Sequence, residues 1–310
     1  MALNYAEVWS PDLLEIMEQD SLTSPFVTTA VKWLSAKTFH FTQMSTSGYK
    51  SHSRLGGWNK GTVEQTDVPF TLTHDRDIQF MIDKIDVDET NETASIKKIS
   101  EVFHKTQQIP EMDAYFYSKV ATEAQKLDGY HSSTALSSYT KENVYGKLKA
   151  MLSAGKLRRY VAKGALIAYV NSTIMDLLEQ STDFTRKIEM TQIAEGGIGI
   201  ETRITDIDGV TLIEVIDDER FYDKFDFTDG FAPVASTSHK INVLIASPLT
   251  VKTVPKIASI YYFNPGQHTE GDGYLYQDRS LSDTFVFPNG KDNKIDSIYV
   301  DVDTATYTAE

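Results

Sequence analysis

Glycine, lysine, histidine and clustered acids are where phosphate, metal and acid–base chemistry would be built, and in this chain each misses the spacing that its chemistry requires. Gly155-Lys156 opens like a phosphate cradle, but Leu157 follows where Ser or Thr is needed, and no glycine stands five residues before the pair. Gly196, Gly197 and Gly199 lack a strand-to-helix setting and read as a turn before a hairpin. The seven histidines are scattered, with no H-E-x-x-H. Asp86-x-Asp88-x-Thr90 begins like a calcium loop, yet Asn91 stands where the loop needs Gly and Lys97 where it needs Glu. Together with Asp83 and Glu89 it reads as a solvated turn or a cap before the helix; Asp217, Asp218 and Glu219 form a second acidic cluster. There is no G-x-S-x-G elbow. The absence of cysteine excludes disulfides and thiolate zinc. The residues thus carry no positive support for an enzyme, and neither a cofactor nor a metal is expected.

Charge narrows the classes further. The 310 residues carry a formal charge of −14, a surface that repels phosphate backbones and argues against broad nucleic-acid affinity. Lys147, Lys149, Lys156, Arg158, Arg159 and Lys163 run against the trend. Tyr160 alone accompanies them, too few aromatics for a stacking platform, so they read as a solvated face that salt-bridges acidic neighbours. The longest apolar runs, 165–170 and 243–246, are far short of the ~20 residues of a membrane span, and the acidic first twenty residues do not resemble a signal peptide. A soluble chain is expected.

The elements that would position any site are mixed, and the length suits two domains, or one with large excursions. Residues 1–36 read as an arm with one short helix at 11–17, entered through Ser10-Pro11. Apolar and polar residues alternate over 37–43 and again over 67–83, the period of strands. Between them lies a polar stretch, and the whole of 37–83 reads as one long β-hairpin with a flexible tip at 48–61. A two-stranded ribbon is marginal alone in water, so it is expected to lie on a partner surface. Residues 92–127 read as helical, with Pro110 interrupting and a longer second helix starting afresh at Ile109 and ending near Asp128-Gly129. Further helices are expected at 141–154, after Thr140, and at 174–180, capped by Ser172 or Thr173. Asp208-Gly209 between alternating runs is the clearest local signal, a tight hairpin. Strands are expected at 165–170, 241–246, 261–263, 284–287 and 297–302. The class is α+β.

Several blocks, in order, resemble the major capsid proteins of tailed bacteriophages. They are MALNYA at 1–6; LTHDRDIQFMID at 72–83, running into DVDET at 86–90; and IPEMDAY at 109–115, with Ser118-Lys119 after it. In the middle stand FTR at 184–186 and DGVTLIEV at 208–215. Near the end come FNPG at 263–266, GDGYLYQDR at 271–279, then Asp283, Phe285 and Asn293-Lys294. Ile216 departs from the family's pattern, where Val-Pro is expected, and puts one local turn in doubt.

The resemblance implies the Hong Kong 97-type phage capsid fold: an N-terminal arm (1–36), an extended β-hairpin loop (37–83), a peripheral domain with a spine helix (84–136), an axial domain (137–258), and C-terminal strands returning to the peripheral domain (259–310). It implies a structural subunit that self-assembles into hexamers and pentamers of an icosahedral shell enclosing double-stranded DNA, bound without sequence specificity. Its partners would be its own copies, a portal protein and a separate scaffolding protein, since the hairpin begins by residue 37 and leaves no room for a built-in scaffold. It would assemble in the host bacterial cytoplasm and reside in the virion. Lys50, Arg54, Lys60 and Arg76 are the expected inter-subunit contacts, meeting acids of the adjacent subunit. An encapsulin-like nanocompartment is the alternative within the same fold, and an acidic α+β hydrolase a third, more distant one.

Overall fold

The computed structural model describes residues 20–29, 33, 37–52, 54, 56–85, 96–162, 165–181, 189–191, 202–289 and 294–308. The expected helix at 11–17, the calcium-like stretch at 86–91, the FTR block at 184–186 and the glycines at 196–199 lie outside them.

The apolar run of β11 (His239–Ala246) sits near the middle of a seven-stranded sheet of order β4-β14-β11-β5-β8-β7-β6. The others are β4 (His131–Ser133), β5 (Ile167–Asn171), β6 (Glu189–Thr191), β7 (Thr202–Ile207), β8 (Val210–Val215) and β14 (Ile298–Thr306). A strand covered on both faces needs no polar alternation, and β11 has almost none. Its period of two sorts the side chains between two cores. Leu244 and Ala246 join Phe116, Tyr117, Val120 and Ala121 of one helix, while Val243 and Ile245 join Leu148, Met151, Ile174 and Met175 of two others.

The first helix is α2 (Ile109–Gln125); the others are α3 (Val144–Leu152) and α5 (Ser172–Glu179), with one turn, α4 (Arg158–Val161), between them. α2 does not begin afresh at Ile109, as the proline suggested. It continues from α1 (Ile96–Phe103) through a π-turn at His104–Gln108, where the Ile109 N–H donates to the His104 carbonyl five residues back. The wider turn shifts the hydrogen-bond register just before Pro110, which has no N–H to give, so the helix absorbs the proline without ending. Gly129 and Gly155, after α2 and α3, have the positive φ of helix stops, 80° and 50°. The cap of α5 is Asn171, one residue earlier than expected: its Oδ1 accepts from the Thr173 N–H at 2.9 Å.

Asp208-Gly209 turns β7 into β8 with φ of 54° and 79°, the two consecutive left-handed residues that a tight hairpin requires. A second, three-stranded antiparallel sheet has the order β12-β13-β3, from β12 (Val251–Phe263), β13 (Gly273–Val286) and β3 (His74–Asp83). α1 and the π-turn cover one face of it, Phe103 against Phe80 at 5.3 Å and His104 against Tyr276.

The ribbon is shorter than the sequence pattern suggested. β1 (Thr38–Thr46) and β2 (Val63–Thr71) pair from Thr38↔Thr71 to Thr46↔Val63. Residues 74–83 are not its continuation; they pair with β13 two hundred residues later. Alternation reports one buried face and not which strand lies alongside, so the two segments looked alike. Pro69 fits within β2 because each strand of a two-stranded ribbon is an edge. The C-terminal segment divides as well: β13 lies with β3, whereas β14 pairs with β11 and β4. Residue 258 falls inside β12 and not at an element boundary.

Candidate functional site

The ribbon is the feature that the body's own cores leave uncovered. Its root is apolar: Phe39 meets Phe70, Phe285 and Phe287 at ring distances of 5.7, 5.2 and 6.5 Å, with Leu72, Val254 and Leu281 around them. Beyond the root, Met44 and Val63 are exposed, and at the tip Tyr49 and Trp58 are almost wholly in solvent. The Ser47 N–H donates to the Thr62 carbonyl at 2.9 Å, and Asn59 Nδ2 donates to the Ser51 carbonyl at 2.9 Å, so the tip carries its own hydrogen bonds.

Two carboxylates and a ring stack hold the root to the body. Asp283, buried on β13, accepts from the Thr73 N–H at 2.9 Å, the Thr73 hydroxyl at 2.8 Å and the Tyr115 hydroxyl at 2.8 Å, with Lys119 Nζ 3.7 Å away. One carboxylate thus joins the end of the ribbon, the sheet and α2. Burial and then the Asp283 charge push the Tyr115 hydroxyl well above the usual phenol range. Asp75 takes Arg279 Nη2 at 2.9 Å and Lys37 Nζ at 3.1 Å. Hydrogen bonds from Arg279 and then Lys37 hold its carboxyl down at about 2. His74 stacks on Tyr115 with centroids 3.9 Å apart, and Phe227 closes edge-on against both rings.

Of the expected contact residues, Lys50, Arg54 and Lys60 lie exposed at the tip, Lys50 Nζ donating to the Lys60 carbonyl at 3.1 Å. Arg76 lies apart from the tip, on β3. Its guanidinium meets Glu111 at 2.6 Å and donates to the carbonyls of Phe227 and Gly230, the latter at 3.2 Å. Because β3 pairs with β13, residue 76 falls on the helix-covered face, beside α2, and acts within its own chain. The basic stretch stays at the surface and pairs within its own chain: Lys149 meets Asp208 at 3.3 Å, Arg159 meets Asp296 at 3.5 Å, and Lys147 lies over the Tyr139 ring at 4.2 Å. Lys163 lies outside the described residues.

Sequence reasoning did not find the anchor of the segment before the ribbon. Asp113 on α2 accepts from Thr23 Oγ1 at 2.7 Å, Ser21 Oγ at 2.9 Å and the Leu22 N–H at 3.2 Å, and pairs with Arg220 at 3.1 Å. Burial raises the Asp113 carboxyl above the ordinary aspartate range, while Arg220 and the three donors pull against that rise. Asp217 and Asp218 are likewise structural, bonded to Arg220 and Lys240. Among the described residues no cluster of three metal-ligating side chains occurs, and no helix is long and apolar enough to cross a membrane.

No protein-family model matches the chain, and no curated protein matches it by sequence. Its likeness is to solved structures. A chain of the bacteriophage PhiM1 mature capsid aligns with 98% of this chain and 93% of its own, at a TM-score of 0.64 and 13% identity. A chain of the capsid of Cyanophage P-SCSP1u aligns with 97% of this chain and 94% of its own, at 0.65 and 12%. A structure from Mycobacterium phage Che8 covers 96% of both chains at 0.57 and 13%. The mixed helix-and-sheet architecture built here around β11, α2 and the projecting ribbon is therefore the fold of these phage capsid chains.

Proposed function

We propose that this protein is the major capsid protein of a tailed bacteriophage, a structural subunit of an icosahedral shell. The observation that carries the reading is the ribbon: a two-stranded projection, anchored at its root by Asp283 and Asp75, that holds Trp58 and Tyr49 in solvent. A single chain gains nothing from presenting such side chains to water; a chain packed among copies of itself buries them. The full-length likeness to phage capsid chains supports the same reading.

In this reading the copies form hexamers and pentamers through heterologous contacts that close into rings. Lys50, Arg54 and Lys60 meet acids of the adjacent subunit. A scaffolding protein and a portal protein are partners during assembly in the host cytoplasm. The shell encloses double-stranded DNA without reading its sequence, and the net charge of −14 suits a wall that does not hold DNA tightly.

Expression with the neighbouring gene products, followed by negative-stain microscopy, tests the proposal. Closed shells tens of nanometres wide are expected. Monomers alone under all co-expression conditions would overturn it. Shells that enclose a co-purifying enzyme and no DNA would instead support a nanocompartment.

A further inference from the structure

We infer that the open edge of β12, residues 257–263, pairs antiparallel with the same edge of a second copy across a two-fold axis, joining two three-stranded sheets into one continuous sheet. The inference rests on the shell-subunit reading and adds a contact of a kind that ring closure does not supply.

A strand at the rim of a sheet offers unpaired N–H and C=O groups, and proteins blunt such edges with charges, prolines, bulges or a covering segment. The two edges of the β12–β13–β3 sheet differ in this respect. β3 carries Asp75, Arg76, Asp77 and Asp83 along its length. The first part of β12 is blunted in each of these ways. The segment before the ribbon covers it: Val27 bridges to Thr253, the Thr28 N–H donates to the Thr253 carbonyl at 2.9 Å, and Lys256 Nζ lies 3.6 Å from the centre of the Trp33 ring. Pro255 has no N–H to offer, and the register shifts between Pro255 and Ile257. From Ile257 onward this protection stops. The stretch IASIYYF at 257–263 has no charge, no proline and no glycine. Among the described residues nothing pairs with its free edge. Ile260, Tyr261 and Tyr262 are about half exposed there.

The occupant follows from size and charge. With Ile260 on the axis, the two Ile260 side chains face each other, Tyr262 faces Ala258 of the second copy, Tyr261 faces Ser259 and Phe263 faces Ile257. Every aromatic then has a smaller residue directly opposite, which lets the side chains interdigitate on both faces of the seam. Moving the axis to Tyr261 would instead set Tyr261 against itself and Tyr262 against Ile260. Self-pairing brings no like charges together, because the stretch has none. A segment that fits its own reversed copy meets the requirement of an isologous contact, the same patch used twice, whereas hexamers and pentamers close through heterologous contacts. The seam therefore joins one ring to the next. A strand pair this short is too small to hold two free subunits, so it forms where other contacts already bring the copies together.

The cysteine-free chain gives a clean background for the test. Ile260→Cys places one thiol of each copy opposite the other. Shells assembled from this full-length variant, treated with a short bis-maleimide cross-linker and run on denaturing electrophoresis, should give covalent dimers. Asp77→Cys, on the opposite edge of the sheet, should stay monomeric. Ala258→Cys/Tyr262→Cys should also link copies, and more strongly than either single variant, which reads the register. Intact shells without dimers from Ile260→Cys and from the double variant would overturn the inference. Dimers formed equally by unassembled subunits would overturn it too, since they would report an adventitious sticky edge. In parallel, Ile260→Lys changes an exposed side chain and should keep the parent's melting temperature and its rings, while lowering the yield of closed shells about tenfold or more. Closed shells at the parent's yield would count against the seam. If the unmodified chain forms no shells at all, the shell-subunit reading itself fails; shells that form without these links sink the seam alone.

Discussion

Arg220 Nη1 lies 3.1 Å from Asp113 Oδ2 with both side chains buried, joining a loop after β8 to the middle of the long helix. The same carboxylate holds Ser21, Leu22 and Thr23, so one charge pair fixes three parts of the chain that are remote in sequence. Removing Arg220 leaves the buried Asp113 carboxylate without its cation, and removing Asp113 leaves the buried guanidinium to Asp217 and opens a void beneath Ser21–Thr23. Asp113→Ala or Arg220→Ala should each cost about 3–5 kcal/mol in denaturant unfolding. The double variant Asp113→Leu/Arg220→Met should cost clearly less than the two single losses added together. Strict additivity would show that the pair does not act as one unit.

Asp75 provides a test in acid. Its folded carboxyl titrates at about 2 against an ordinary value of 3.8, lowered by hydrogen bonds from Arg279 and Lys37. A depressed acid stabilises the fold above its unfolded pKa, and that contribution is lost as pH falls from about 4 through 2. The melting temperature of Asp75→Asn should therefore lie below that of the parent protein at neutral pH and converge on it near pH 2. The gap should also shrink in high salt, because Lys37 and Arg279 are half exposed. A gap of constant size from pH 7 to pH 2 would sink this account.

Asp283 sets the firmness of the ribbon root. Asp283→Ala leaves the Thr73 N–H and the Tyr115 hydroxyl without their acceptor, a loss of about 2–4 kcal/mol. Hydrogen exchange should rise first at the root, around Leu72 and Thr73, before α2 loosens. Thr73→Val removes one hydroxyl donor and should cost about 1 kcal/mol. Equal exchange throughout the protein in Asp283→Ala would show that the anchor is not local.

Two glycines test the backbone. A Cβ at Gly273 would lie 2.3 Å from the Ile82 carbonyl oxygen, a backbone atom that cannot move without opening the β3–β13 pairing. Gly273→Ala should cost about 1–3 kcal/mol through this overpacking. Gly209 has open space around it but a φ of 79°, so Gly209→Ala should cost only about 1 kcal/mol, by strain in the turn. Calorimetry on the pair separates steric from conformational cost; equal losses would contradict the distinction.

What the sequence determined by itself was local. Asp208-Gly209 turns where it was expected because two adjacent left-handed residues leave a strand few other paths. The run at 241–246 announced a strand buried on both faces, and the glycines at 129 and 155 announced helix stops. The exposed basic tip was also legible, since three cations without an acid in a chain of net charge −14 have no local partner. Tertiary structure decided what depends on distant segments. Residues 74–83 carry the period of any half-buried strand, and only the presence of β13 makes them part of a sheet and not of the ribbon. That pairing turned Arg76 onto Glu111 and set it apart from the cations of the ribbon tip. The π-turn before Pro110 is likewise a tertiary outcome: packing of Phe103 and His104 on β3 and β13 on one side, and of Phe116 and Val120 on the central sheet on the other, favours one continuous helix where local propensity argued for two. Propensity acts within a few residues and is worth at most a few kcal/mol at a proline, whereas burial against two sheets acts along the whole helix and outweighs it.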